Sequence, residues 1–143
     1  MRYPPDGIRG LAGITRATRF GRVADYAVRA ADELCLIVQV ETIEAVERLD
    51  DIAVVEGVDG VFIGPADLSA SMGNPGEVGL PEVVAVIEET IRALGALGKP
   101  AGVLTLAPVF ARRCMDLGTS FTAVGVDLAL LLDSANGLRR HWL

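Results

Sequence analysis

Two acids, Glu41 and Asp67, stand where this sequence can most readily build chemistry. Each comes at or just past the end of a short apolar, β-prone run, residues 34–40 for the first and 58–63 for the second. Gly64-Pro65 stops the second run, because proline cannot continue a ladder, and Asp67-Leu68-Ser69 reads as the first turn of a short helix. Asp67 is therefore either a cap for that helix or a functional acid at the mouth of a buried strand, where α/β enzymes place chemistry. Glu41 in the equivalent place favours the functional reading. Adjacent parallel strands lie about 4.8 Å apart, so the two carboxylates would converge above the sheet. Unscreened, they would repel and shift each other's pKa. A hard divalent ion relieves this: Mg²⁺, Mn²⁺ or Co²⁺ accepts one or two carboxylates and completes its sphere with water and substrate oxygens. A 2-oxo acid would chelate such an ion through its carboxylate and keto oxygens, and the ion would act as a Lewis acid that stabilises an enolate.

Neighbouring residues extend this pattern. Gln39, two positions before Glu41, points to the same side of its strand. It reads equally as an amide donor to bound substrate or as a buried side chain satisfied by backbone. The backbone N–H groups of Ala66 and Asp67, just past Pro65, are placed to bind a substrate carboxylate as a helix start does. Asp127 resembles a helix cap more than a catalyst. His141, the chain's one histidine, sits in a basic tail with no evident partner. No Ser/His/Asp or Cys/His arrangement, P-loop or GxGxxG can be drawn. Thr105-Leu106-Ala107-Pro108 lacks the glycines of a barrel phosphate grip, which argues against a phosphate-handling isomerase.

The elements that must position these residues follow in chain order. Residues 1–13 read as a loop, dense in turn chemistry at Pro4-Pro5-Asp6-Gly7. Residues 15–31 read as a helix capped by Thr15, with Phe20, Val23, Ala24, Ala27, Val28 and Ala31 on one face. A buried strand spans 34–40, and Thr42 opens a helix that Gly57 closes. After the strand at 58–63, residues 70–80 form an exposed loop suited to a lid or rim. Pro81 starts a long helix carrying Val84, Ile87, Ile91 and Leu94, ended by Gly98. Residues 101–104 make a third strand, 108–118 a helix, 121–126 a fourth strand. Asp127 caps a last helix that ends near Gly137, leaving an amphipathic tail. Strand centres at Val38, Ile63, Leu104 and Val124 are 25, 41 and 20 residues apart. Repeated strand–helix units imply parallel strands with right-handed crossovers. The expected fold is thus α/β of TIM-barrel type, a single domain over 1–143 with a leading helix and four β/α units. That is about half of a barrel that typically needs about 250 residues.

Composition agrees. Half of the 143 residues are hydrophobic and few are aromatic, the profile of buried parallel strands. The net charge of −6 argues against nucleic acid as a partner. The first thirty residues nevertheless carry six Arg against Asp6 and Asp25. Such a basic segment reads as a solvated face, or as a surface for an anionic partner. Cys35 and Cys114 lack zinc-type spacing and read as reduced packing residues of a cytoplasmic protein. Met1-Arg2-Tyr3-Pro4 is no secretory leader, and no apolar run is long enough to span a membrane.

At these residues the sequence resembles the HpcH/HpaI aldolase family of metal-dependent (class II) pyruvate aldolases. The resembling segments are Tyr3-Pro-Pro-Asp-Gly-Ile-Arg-Gly10, Val38-Gln-Val-Glu-Thr42, the stretch from Gly57 to Ser69, and Leu117-Gly118 with its following strand. The resemblance implies a (β/α)₈ barrel whose last helix is exchanged between subunits, in dimers that assemble into hexamers. It implies metal ligands at Glu41 and Asp67 and pyruvate contacts at Gln39, Ala66 and Leu104. The implied reaction is reversible cleavage of a 4-hydroxy-2-oxo acid to pyruvate and an aldehyde.

The family also uses a histidine for proton transfer and an arginine that steadies the enolate, both upstream of the Pro-Pro-Asp-Gly segment at which this chain begins. By that reading no catalytic acid or base lies in this chain, and about 100 residues of a full barrel are missing. Two expectations follow. The chain is the C-terminal half of an aldolase, or it is a non-catalytic half-barrel that binds metal or serves assembly.

Overall fold

The computed structural model describes residues 1–143, which divide into two compact units, Met1–Leu36 and Ile37–Leu143. The first unit is mostly turns, with one short helix, α1 (Tyr26–Arg29). The helix expected over 15–31 is thus largely absent. Arg19, Phe20 and Gly21 are consecutive left-handed residues, with φ of 49°, 59° and 83°, which no right-handed helix accommodates. The Thr18 hydroxyl takes backbone donors that a helix would use. It is buried, accepts from the N–H groups of Thr15 and Gly21 at 3.0 Å each, and so fixes a turn instead. Phe20, expected on a packed face, is 66% exposed. Upstream, the Arg9 guanidinium lies over the Tyr3 ring, 4.5 Å from its centroid, and Nη2 donates to the Tyr26 hydroxyl at 3.5 Å.

The second unit is a four-stranded parallel sheet with its helices. Its elements are β1 (Ile37–Val40), α2 (Ile43–Glu47), α3 (Leu49–Ala53), β2 (Gly60–Ile63), α4 (Pro65–Ser71) and α5 (Pro81–Ala96). There follow β3 (Ala101–Leu104), α6 (Pro108–Asp116), β4 (Phe121–Ala123) and α7 (Asp127–Trp142). Strand order is β1-β2-β3-β4, every pair parallel, so each connection is a β/α crossover, as in one half of a TIM-type barrel. The repeat of alternating strand and helix signals made this arrangement readable.

One face of the sheet forms the core. Val40, Val61, Ile63, Ala101 and Val103 are buried, and α5 packs over β2 and β3 with Val83, Ile87, Ile91 and Leu94 buried. Val83 rather than Val84 leads that stripe, because the helix also buries Glu88 and Thr90. Thr90 satisfies its hydroxyl on the Val86 carbonyl at 2.7 Å. Glu88 is ion-paired to Arg113 of α6, whose Nη2 donates to Oε2 at 2.8 Å, and to Arg92 at 3.1 Å. The opposite face carries a row set by register: Gln39 beside Phe62, Phe62 beside Gly102, Gly102 beside Phe121. Phe62 and Phe121 stack across Gly102, their centroids 5.8 Å apart.

Several boundaries differ from expectation. The strands are shorter, and Cys35 lies exposed before β1 rather than packed within a strand. The helix after Thr42 breaks at Arg48 into α2 and α3, with φ of −106° and ψ of 23° at the break. Ala70 and Ser71 belong to α4, so the exposed loop begins at Met72. Its glycines Gly73 and Gly76 both hold φ of 83°. α7 does not end near Gly137 but continues through the tail to Trp142. Flanking Leu, Ala and Arg are strong helix formers, and they outweigh the roughly 1 kcal/mol cost of one glycine. No helix is long and apolar enough to cross a membrane.

Candidate functional site

The candidate residues gather where β1 and β2 end. Alternation along β1 sends Gln39 and Glu41 to the same side, and Gln39 Nε2 donates to Glu41 Oε2 at 2.6 Å. Gln39 therefore uses its amide on Glu41, not on backbone. Gln39 is exposed and Glu41 half-buried, so the pair is open to a ligand. The amide of Gly64 donates to the Val40 carbonyl at 3.0 Å, extending the β1–β2 ladder one step and bringing Gly64 alongside Glu41. A Cβ on Gly64 would lie 2.6 Å from Gln39 Nε2 and 3.0 Å from both Glu41 Cβ and Oε2. The missing side chain at 64 is thus the cradle in which the Gln39–Glu41 pair rests. In the sequence Gly64 reads only as a strand stop.

Gly64 is also the N-cap of α4, Pro65 fills the first helical position, and Asp67 falls in the first turn. No side-chain hydrogen bond caps this helix start. The carboxylate of Asp67 is exposed and makes no hydrogen bond or ion pair within the chain. The cap reading of Asp67 therefore has no bond to rest on, although its charge still suits the helix start. The amides of Ala66 and Asp67 precede the first intrahelical bond, from Leu68 N–H to the Gly64 carbonyl at 3.0 Å. Leu104 ends β3 half-buried.

The remaining candidates lie elsewhere in function. Asp127 is not the cap expected of it: Val126 holds the N-cap position, no side chain caps this helix start, and Asp127 is the first residue of α7, where its Oδ1 accepts from Leu128 N–H at 2.8 Å and its charge suits the helix start. His141 does have a neighbour, the Trp142 ring edge-on at 5.0 Å, at the far end of α7. Cys114 is buried on α6. Burial pushes its thiol up from the ordinary value of 9.0, the Glu88 charge adds to this, and Arg113 opposes it.

No group of three or more His, Cys, Asp or Glu side chains gathers anywhere in the chain. Two acids stand at this end of the sheet, Glu41 just past β1 and Asp67 in the first turn of α4. Glu41 keeps Oε1 free of Gln39, and Asp67 is wholly unengaged. Hard oxygen donors of this kind, few in number and open to solvent, fit Mg²⁺, Mn²⁺ or Co²⁺, which retain water and substrate oxygens in their sphere.

The family model of the HpcH/HpaI aldolase/citrate lyase family matches residues 1–134. The chain belongs to that family. Among the similar proteins, a pyruvate aldolase of Rhizobium etli is 63% identical over 138 residues, which is 96% of this chain and 54% of the relative. A 2-keto-3-deoxy-L-rhamnonate aldolase of Klebsiella pneumoniae is 55% identical over 130 residues, 90% of this chain and 49% of the relative. In structure, an HpcH/HpaI aldolase/citrate lyase family protein from Burkholderia cenocepacia superposes with a TM-score of 0.90 at 34% identity, over 98% of this chain and 56% of that one. The chain spans about half the length of the curated relatives it matches.

Proposed function

We propose that this chain forms the metal- and pyruvate-binding half of a class II aldolase site, acting in reversible cleavage of a 4-hydroxy-2-oxo acid to pyruvate and an aldehyde. One observation carries the reading. Glu41 directly follows β1, and Asp67 lies in the first turn of the helix that follows the adjacent parallel strand β2, with Asp67 unengaged and Glu41 held through one oxygen. Family membership and the names of two curated relatives, a pyruvate aldolase and a 2-keto-3-deoxy-L-rhamnonate aldolase, support it.

In this reading Glu41 and Asp67 hold Mg²⁺, Mn²⁺ or Co²⁺. When bound, the ion supplies Lewis-acid stabilisation to negative charge developing on the substrate's keto oxygen. Gln39, Ala66 and Leu104 meet the pyruvate portion. The half-buried side chain of Leu104 offers apolar surface, and the Ala66 amide offers a donor for the carboxylate. Proton transfer is assigned to no residue of this chain, since His141 lies at the end of α7. It falls to the part of the full-length relatives that this chain does not span. The barrel half is completed by that part, and assembly into a homo-oligomer goes with the exposed leucines of α7. The free thiols of Cys35 and Cys114 suit a reducing, cytoplasmic setting. The same exposed leucines favour a second reading, in which the chain alone is a metal-binding or assembly module without catalysis.

Mn²⁺ binding followed by electron paramagnetic resonance, with and without oxalate as an enolate mimic, tests this. Oxalate should strengthen Mn²⁺ binding, and Asp67→Ala should abolish the effect while the circular dichroism spectrum stays unchanged. Oxalate-strengthened binding that persists in Asp67→Ala would sink the site assignment. A folded chain that binds no Mn²⁺ would leave the assembly module as the better reading.

A further inference from the structure

We infer that Gln39 is a positioning residue for the carboxylate of Glu41, and that position 64 is glycine to leave room for this hydrogen bond. The inference rests on the reading of Glu41 as a metal ligand and adds how that ligand is held. A carboxylate only accepts hydrogen bonds, so the amide nitrogen of Gln39, not its oxygen, must face it. The 2.6 Å contact engages Oε2 alone and leaves Oε1 free to ligate. An uncharged donor fixes the rotamer without competing with a cation for the carboxylate's charge. Outer partners of this kind commonly set the affinity of a metal site.

The backbone at Gly64 explains why the residue is there. Its φ of −96° and ψ of 92° lie where any residue is comfortable, so conformation does not demand glycine. Space does. A Cβ would fall 2.6 Å from Gln39 Nε2, the far end of a flexible side chain. It would therefore push the amide aside at small cost to the fold. It would also remove Gln39 from Glu41 and crowd Glu41 Cβ and Oε2, each 3.0 Å away. Gly64→Ala should then include the loss of Gln39 and add whatever the crowding of Glu41 costs, without loss of the fold.

The test has one arm without metal. By ¹⁵N NMR of the chain, the side-chain amide protons of Gln39 should exchange with water several-fold more slowly than those of a free glutamine. That protection should vanish in both Glu41→Ala and Gly64→Ala. The second arm measures Mn²⁺ affinity by electron paramagnetic resonance. Gln39→Leu should weaken it about 10-fold, the lower end for outer partners of a metal ligand, and Gly64→Ala at least as much. The double variant should be no weaker than the worse single one, because both remove the same bond. Melting temperatures should stay close to that of the parent chain. Freely exchanging Gln39 protons, an unchanged affinity in Gln39→Leu, or losses that multiply in the double variant would overturn the positioning role while leaving the carboxylate pair intact. Failure of the chain to take up Mn²⁺ despite protected Gln39 protons would instead overturn Glu41 as a ligand, and the positioning role with it.

Discussion

Burial and charge act together at Cys114. The thiol has no exposed surface, and Glu88, itself buried between α5 and α6, disfavours the thiolate further. An acid whose folded-state pKa is raised holds its proton more tightly in the folded chain than in the unfolded one. It contributes stability that is full below the ordinary value of 9.0 and is lost as pH rises through the folded value. Stability of the parent chain should therefore fall faster above about pH 9 than that of Cys114→Ser, whose hydroxyl does not titrate there. Urea midpoints of the two chains from about pH 7 to about pH 11 check this. Curves that stay parallel would mean that Cys114 does not titrate differently on folding. Cys35 is exposed and should react with a thiol reagent in the folded chain, which makes it the internal control.

At the scale of elements, glycines decide where side chains of neighbouring strands cross. A Cβ on Gly102 of β3 would overlap the ring of Phe121 from β4. Gly102→Ala must therefore expel the ring and break its stack on Phe62. The expected cost is about 1–3 kcal/mol of overpacking. Phe121→Ala vacates that space, so the double variant should be more stable than the sum of the single losses predicts. Urea denaturation of the four chains measures the coupling, and simple additivity would show that the ring does not occupy the space over Gly102. The same kind of contact limited what the sequence disclosed. β3 and both ends of α5 were legible because Pro81 and Gly98 mark the helix locally, with Gly98 at φ of 66°. Glu41 and Asp67 were legible because each follows an apolar run. The cradle at Gly64 was not, since it depends on atoms 23 and 25 residues away in the chain. Nor was the turn at Arg19-Phe20-Gly21: an apolar stripe spaced as for a helix outweighed one glycine in the pattern, whereas the Thr18 hydroxyl outweighs the stripe in the fold.

The sequence pattern of α7 matters most at the scale of the whole molecule. Leu128, Leu131, Leu132, Leu138 and Trp142 recur at helical spacing, so they share one face, and all are exposed, Trp142 to 77%. No residue of this 16-residue helix is buried. In the sheet, β1 pairs only with β2 and β4 only with β3, so both edge strands keep unpaired backbone groups. An apolar helix face and two open edges favour association of the chain on its own. Sedimentation velocity should show species above 15.0 kDa whose share grows with concentration. The two sources are separable. Leu131→Glu with Leu138→Glu places charge on the helix face without touching the sheet, at positions where glutamate is a good helix former. If α7 drives association, this variant should shift towards monomer with its helical circular dichroism intact. If the open edges drive it, the variant should associate as the parent does. A parent chain that sediments at 15.0 kDa at every concentration would show that neither surface is sticky enough to need a partner.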